Sequence, residues 1–548
     1  MSRVRWSRIL GCLVGLFLIW SGEGWSQSQD PRLERAEELN KQVVELYQQE
    51  KYEKAIPLAK EALELREEVL GPHHPDVATS LNDLALLLSG ISYYKEALPL
   101  YRRALAIFEN INDPNHLATA TSLNNIASLL EKMGTYTEAE VLYKRALTIH
   151  EQVLGPTHLR TADNLNNLAI LLQTMGSYAE ARSLYERALA IAEQTLGPTN
   201  NKTAIFLNNL ATLLRDMGSF AEAKPLYERS LAIAKQSLGP NHPQTATILN
   251  NLAELLQTMG AYAEAQPLYE RALTIREQTL GPTHPETATS LNNLGSLLNE
   301  IGAYTQARSF YERALAIAEQ TLGPSHPHTA TSLNNLAELL RTMGAYAEAR
   351  PLYERAIAIR KTSLGAKHPT VATSINNLAL LLQDTGAYAE AWPLHKQALA
   401  IREQTLGPSH PLTSASLNNL AEFLQNIGAY AEAQPLFERA LAIAEKTLGP
   451  SHPQVAIIIN NLAVLLKNGR DYGRARPLYK RALTIQQETL GPTHPHIARS
   501  LNNLAILSLD EGNPSEAANH LTKSVYIAQE AMRRGLVGIN VQQKLAFV

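Results

Sequence analysis

The sequence predicts an all-α solenoid of about twelve stacked helix-turn-helix units, and three observations carry that prediction. The string Leu-Asn-Asn-Leu-Ala, or a close variant, recurs every 42 residues, at Leu81, Leu123, Leu165, Leu207, Leu249, Leu291, Leu333, Ile375, Leu417, Ile459 and Leu501, with no insertion or deletion. A degenerate copy starts one period earlier, at Leu39. Within each period two stretches of helically spaced apolar residues are divided by a turn that usually holds glycine, and a linker closes the unit. Fixed-period self-similarity means a pile of one supersecondary unit, each copy burying its apolar face against the next.

In chain order the first element is a leader. Arg3, Arg5 and Arg8 precede a 12-residue apolar run, Ile9–Trp20, and small residues follow at Ser26 and Ser28. A basic n-region, a short h-region and a small-residue site describe a secretory signal peptide over residues 1–28. The run is shorter than the ~20 apolar residues a membrane-spanning helix needs. Cleavage would leave a chain beginning at Gln29, exported to the periplasm or secreted; an uncleaved N-terminal anchor is the alternative. Cys12 is the one cysteine, so the cleaved chain would have neither disulfide nor thiolate nucleophile.

The array follows, over residues 29–534, and the copy from Pro243 shows how each unit is built. Pro243 opens a helix, where its missing N–H has no partner to lose. Ile248, Leu249, Leu252, Ala253, Leu255 and Leu256 suit a helix buried on two sides. Gly260 ends it as a left-handed C′ residue. A second, amphipathic helix from Tyr262 carries Ala265, Leu268, Tyr269, Ala272 and Ile275. Gly281-Pro282 stops that helix, and Pro285 opens the next unit. Pro267 and its equivalents Pro57, Pro99, Pro225, Pro351, Pro393, Pro435 and Pro477 fall in the second turn of the second helix, where a bend is expected. The last unit departs from the pattern, with Pro514 in place of Tyr or Phe, and a tail occupies residues 535–548.

The pattern Ala253, Gly260, Tyr262, Ala265, Tyr269, Ala272 resembles a tetratricopeptide (TPR) repeat, whose ordinary period is 34. The 42-residue form, with its signatures at Leu249–Ala253, Gly260–Ala265, Arg271–Ile275 and Leu280–Pro285, closely resembles the repeats of kinesin light chains. The resemblance implies a right-handed superhelix whose first helices line a concave groove for extended segments of partner proteins. It further implies that asparagines of the repeated string face that groove: Asn124, Asn166, Asn208, Asn250, Asn292, Asn334, Asn376, Asn418, Asn460 and Asn502. The alternative is that these amides join neighbouring repeats in a ladder, and the two roles are compatible.

Two departures from kinesin light chains bear on function. That family places Lys and Arg near the ends of the first helices, whereas this chain has Lys132, Thr174, Asp216, Thr258, Glu300, Thr342, Asp384 and Asn426. A preference for acidic peptides therefore does not carry over. No heptad pattern precedes the array to grip a motor chain. Residues Gln542–Val548 also resemble the segment that joins such arrays to a caspase-like CHAT domain in bacterial proteins.

Catalytic and metal readings fail on the repeat itself. The linker histidines His74, His116, His158, His242, His284, His326, His368, His410, His452 and His494 lie one per hairpin. Zinc needs its ligands ~2 Å from one ion, and neighbouring helices stand ~8–10 Å apart. These histidines are expected to shape the linker turn. No phosphate loop, His-Glu-x-x-His or nucleophile elbow occurs. From Gln29 onward the charge is 46 − 51 = −5, with no basic stripe for nucleic acid. Trp392 breaks its polar column and is a candidate surface contact. The expected function is a monomeric, non-enzymatic scaffold for protein or peptide partners, without cofactor and without membrane insertion once the leader is removed. A regulatory subunit for a separately encoded CHAT-type effector and a true kinesin light chain cargo adaptor are the alternatives.

Overall fold

The computed structural model describes residues 30–49, 51–111, 116–491 and 494–535. The expected leader and the tail beyond Gly535 lie outside the described residues. Twenty-four α-helices and no strand are found among the described residues, paired as twelve hairpins. They are α1 (Pro31–Gln48) with α2 (Tyr52–Leu70), α3 (Pro75–Gly90) with α4 (Tyr94–Ile111), α5 (Leu117–Lys132) with α6 (Tyr136–Leu154), and α7 (Leu159–Thr174) with α8 (Tyr178–Leu196). Next come α9 (Asn201–Asp216) with α10 (Phe220–Ser237), α11 (Pro243–Thr258) with α12 (Tyr262–Thr279), α13 (Pro285–Glu300) with α14 (Tyr304–Thr321), and α15 (Pro327–Thr342) with α16 (Tyr346–Leu364). The last four are α17 (Pro369–Asp384) with α18 (Tyr388–Leu406), α19 (Pro411–Asn426) with α20 (Tyr430–Leu448), α21 (Pro453–Asn468) with α22 (Tyr472–Leu490), and α23 (Pro495–Asp510) with α24 (Pro514–Gly535).

Local chemistry sets these boundaries. At the end of α11 the Ala261 amide donates to the Leu256 carbonyl (2.8 Å) and the Gly260 amide to the Gln257 carbonyl (3.0 Å). This crossed pair closes the helix and needs a left-handed residue, which Gly260 supplies at φ 73°. Each second helix then starts directly at its Tyr or Phe, apart from α24. The linker between hairpins is pinned by a threonine: Thr287 Oγ1 donates to the Gly281 carbonyl (2.9 Å), and Thr161, Thr203, Thr245, Thr329 and Thr413 repeat the bond.

The helices of a hairpin pack through columns of small residues. Ala253, Ala265 and Ala272 are fully buried, and Tyr269 fills the space beside them with its hydroxyl donating to Gln257 Oε1 (2.9 Å). Pro267 lies inside α12 without breaking it. It is exposed, as is Ala263 one turn back, so the carbonyl it leaves unpaired faces water.

Curvature follows from which helices touch. Successive odd-numbered helices make direct contact, as in α7 with α9, α9 with α11 and α11 with α13, and they form the inner wall. The even-numbered helices lie outside and are bridged by long ion pairs, such as Arg187–Glu151 (2.6 Å), Arg229–Glu193 (2.6 Å) and Arg439–Glu403 (2.7 Å). Exposed pairs of this kind contribute little individually. The expectation that each unit contacts only its neighbours is incomplete. Residues 234 positions apart, Ser92 and His326, meet at 2.9 Å, because the coil returns on itself after six hairpins.

Because Ala253 sits where two helices approach most closely, Ala253→Leu should destabilise the array by about 1–3 kcal/mol through overpacking. Urea unfolding followed by circular dichroism checks this; an unshifted transition contradicts it.

Candidate interaction groove

The inner wall is built from one stripe per odd-numbered helix. On α11 the residues Thr247, Asn251, Glu254 and Thr258 are partly exposed at helical spacing, while Ile248, Asn250, Leu252 and Leu255 between them are buried. On α13 the same stripe is Thr289, Asn293, Ser296 and Glu300. The wall therefore offers hydroxyls, amides and carboxylates at a fixed repeat.

The two asparagines of each unit take different places. The first of the pair lies beneath the wall: Asn166, Asn208, Asn250, Asn334, Asn376, Asn418 and Asn460 are buried, Asn124 and Asn292 are half-buried, and Asn502 alone is exposed. The second is half-buried on the wall, apart from the buried Asn209 and Asn377, and in several units it reaches back to the preceding hairpin. Asn251 Nδ2 donates to Asn208 Oδ1 (2.9 Å), and the bond recurs as Asn209 to Asn166 (2.9 Å), Asn419 to Asn376 (3.0 Å), Asn461 to Asn418 (3.1 Å) and Asn503 to Asn460 (2.9 Å). The amides thus form a ladder between hairpins. Several first asparagines also bond to a serine of the following hairpin, as Asn250 to Ser290 (3.0 Å) and Asn292 to Ser332 (3.1 Å). Most of the asparagines expected in the groove thus lie beneath the wall and the second of each pair mostly nearer its surface, because a one-residue step on a helix turns a side chain by ~100°.

Charge along the wall is largely paired between adjacent hairpins. Arg215 bonds Glu254 (2.6 Å) as well as Asp216 (3.2 Å), Lys202 bonds Asp163 (2.7 Å), and Arg341 holds both Glu338 (2.7 Å) and Asp384 (2.5 Å). The surrounding walls keep water from several carboxylates. Burial pushes Asp83 up to about 7 against the pull of Arg66, and it raises Asp163 and Glu422 as well. Such a surface is neither a basic patch nor an acid cluster. No group of three metal-ligating side chains occurs among the described residues.

Each linker histidine within the described residues caps the helix after it. The Gln244 amide donates to His242 Nδ1 (3.1 Å), and the Leu412 amide to His410 Nδ1 (3.0 Å); Asn200 does the same work with its Oδ1 accepting from Lys202 (2.9 Å). Trp392 is placed differently from the expectation of an exposed contact. It is half-buried against Phe423 of the next hairpin, with ring centres 5.7 Å apart, and Lys396 Nζ lies 4.3 Å above its ring. Phe423 stands where neighbouring units have Leu381 and Leu465, and His395 stands where they have Tyr353 and Phe437. These three exchanged residues pack on one another, so Trp392 compensates a local change in the core.

His395 is fully buried, its two ring nitrogens have no hydrogen-bond partner, and burial lowers it to about 4. The unfolded chain therefore binds the proton more readily between pH 6.5 and 4, and stability falls with pH across that window. His395→Phe should raise the melting temperature, with the gain over wild type widening as pH drops from 7 to 4.5. A constant or shrinking gain contradicts the assignment.

Comparison with known proteins gives these repeats a family. Tetratricopeptide repeat profiles match residues 44–110, 94–134, 118–194, 202–278, 245–320, 286–362, 412–470 and 463–530, and a second such profile matches 371–412. No curated protein matches the sequence. Among solved structures, a Podosopora anserina protein of nearly identical TPR-like repeats, assigned to the kinesin light chains, is 32% identical over 38% of this chain and 98% of its own, with a TM-score of 0.32. BtubC (BKLC) from P. vanneervenii is 25% identical over 43% of this chain and 92% of its own, with a TM-score of 0.34. A Rap protein complexed with competence and sporulation factor is 15% identical over 68% of this chain and 99% of its own, with a TM-score of 0.47. With family profiles matching most of residues 44–530, and the same hairpin repeated through the fold, the chain belongs to the tetratricopeptide repeat family.

Proposed function

We propose that the protein is a non-enzymatic scaffold that holds extended segments of partner proteins along the inner wall of the superhelix. The observation that carries this reading is the wall itself: one amide, flanked by hydroxyls and carboxylates, presented at the same place by one hairpin after another. A partner strand laid across several units makes the same weak polar contact many times, and affinity accumulates over the repeats. The second asparagines, Asn251, Asn293 and Asn335, offer their free carbonyl oxygen to the partner backbone. The first asparagines, Asn250, Asn292 and Asn334 among the ten named from the sequence, serve the partner by holding their neighbours in register. Basic and acidic side chains of the wall are mostly engaged with each other, so selectivity for a strongly charged peptide is weak.

No catalytic role is assigned to any residue, and the protein acts as a monomer. Its place is outside the cytoplasm, following the leader at residues 1–28. No helix among the described residues is long and apolar enough to cross a membrane.

The test is affinity capture with the array from Gln29, run beside a variant with Asn251, Asn293 and Asn335 changed to Ala. The ladder weakens in that variant by about 1 kcal/mol per lost bond, so its helicity is checked first. Loss of specific partners with helicity intact is the expected outcome. Unaltered recovery of every partner removes the asparagines from the binding surface.

A further inference from the structure

Chemically equivalent histidines occupy two different environments in this protein. In hairpins two to six the linker histidines His116 and His158 are exposed, and His74 and His242 are half-buried. In hairpins eight to twelve, His326, His368, His410 and His494 are between 5% and 9% exposed, and His452 is half-buried. Their sequences do not account for this, since all are caps followed by a helix. The difference is that the preceding turn of the coil lies on top of the second set.

A contact with the preceding turn recurs at five successive positions. His410 Nε2 donates to the Thr174 carbonyl (2.9 Å) and His452 Nε2 to the Asp216 carbonyl (3.2 Å), each across 236 residues. His368 and His494 lie against Gly134 and Gly260, beside the Lys132 and Thr258 ends of their helices, and His326 Nε2 meets Ser92 Oγ at 2.9 Å. Lys132, Thr174, Asp216 and Thr258 are the last residues of α5, α7, α9 and α11.

Each of these imidazoles except His326, whose partner is a side-chain hydroxyl, therefore lies between the end of one helix and the start of another. Its Nδ1 accepts the amide at the start of a second-turn helix, which requires the neutral ring with its proton on Nε2. That proton is what the carbonyl at the end of a first-turn helix receives. The negative end of one helix dipole thus lies near the positive end of another. Close approach also needs the glycine of the first-turn loop: a Cβ built on Gly176 would lie 2.8 Å from Pro411 Cδ, and one on Gly260 would lie 2.8 Å from His494 Cδ2. The corresponding Gly344, Gly386 and Gly428 of the second turn have nothing within 4 Å.

We propose that His326, His368, His410, His452 and His494 form a seam that fastens one superhelical turn to the next and closes the lateral slot between them. The inner wall then runs unbroken from turn to turn, and a partner segment reaches it along the axis rather than from the side. Only this last consequence rests on the scaffold reading; the seam itself is a property of the free chain.

The natural cap Asn200 suggests the decisive variant. Asparagine keeps the capping acceptor and is too short to reach the opposite turn. Changing all five seam histidines to Asn should leave helicity unchanged and lengthen the particle measured by small-angle X-ray scattering. The matched control, His74, His116, His158 and His242 changed to Asn, should scatter like wild type. Superimposable profiles for all three proteins, or equal expansion of both variants, overturn the seam. If the five-fold variant loses helicity, wild-type imidazole hydrogen–deuterium exchange decides: the five seam rings exchange at least tenfold more slowly than His74, His116 and His158. Equal rates overturn the proposal.

Discussion

The angle between one hairpin and the next is the quantity on which the whole molecule depends. The alanine columns represented by Ala253, Ala265 and Ala272 fix the two helices within each hairpin, and the Asn251–Asn208 type of bond holds one hairpin in register with the next. A small error at one junction would be carried through every later hairpin. Over six hairpins such errors would separate Gly176 from Pro411 altogether. The absence of any insertion across eleven copies of the repeated string is what that accumulation demands.

Much of this was legible in the sequence, for a physical reason. Pro243, Gly260, Tyr262 and Gly281 act on their own backbone, so the helix limits they imply need no knowledge of the rest of the chain. The burial of Ala253 and Tyr269 followed from spacing alone. The asparagines were harder, because a ladder and a peptide contact call for the same amide at the same site. Only the structure separates the buried Asn208 from the wall-facing Asn251. Trp392 was visible as an oddity, but its meaning depended on Phe423 and His395, which had to be seen touching it.

Contacts between turns were the least legible feature, since the linker histidines of both turns read locally as helix caps. One trace is present. All five second-turn linkers read His-Pro, whereas three first-turn linkers read His116-Leu117, His158-Leu159 and Asn200-Asn201. Pro369, Pro411 and Pro453 pack on the glycines of the turn above them, and where no turn lies above, other residues serve equally well as the first helical position. The linker thus combines a local duty, capping, with a distant one that a repeat taken singly cannot reveal.

The resulting surface suits a binding protein. Its polar groups are presented in equivalent copies, and its charges are met by partners on adjacent hairpins, as in Arg215–Glu254 and Arg341–Asp384. The measurement that tests the account most directly is the distance between turns, taken by pulsed electron resonance on spin labels at Ser177 and Ser409. A uniform hairpin-to-hairpin rotation places these loops side by side and gives one short, narrow distribution. A long or broad distribution would mean that the rotation is not uniform and that the coil does not return on itself.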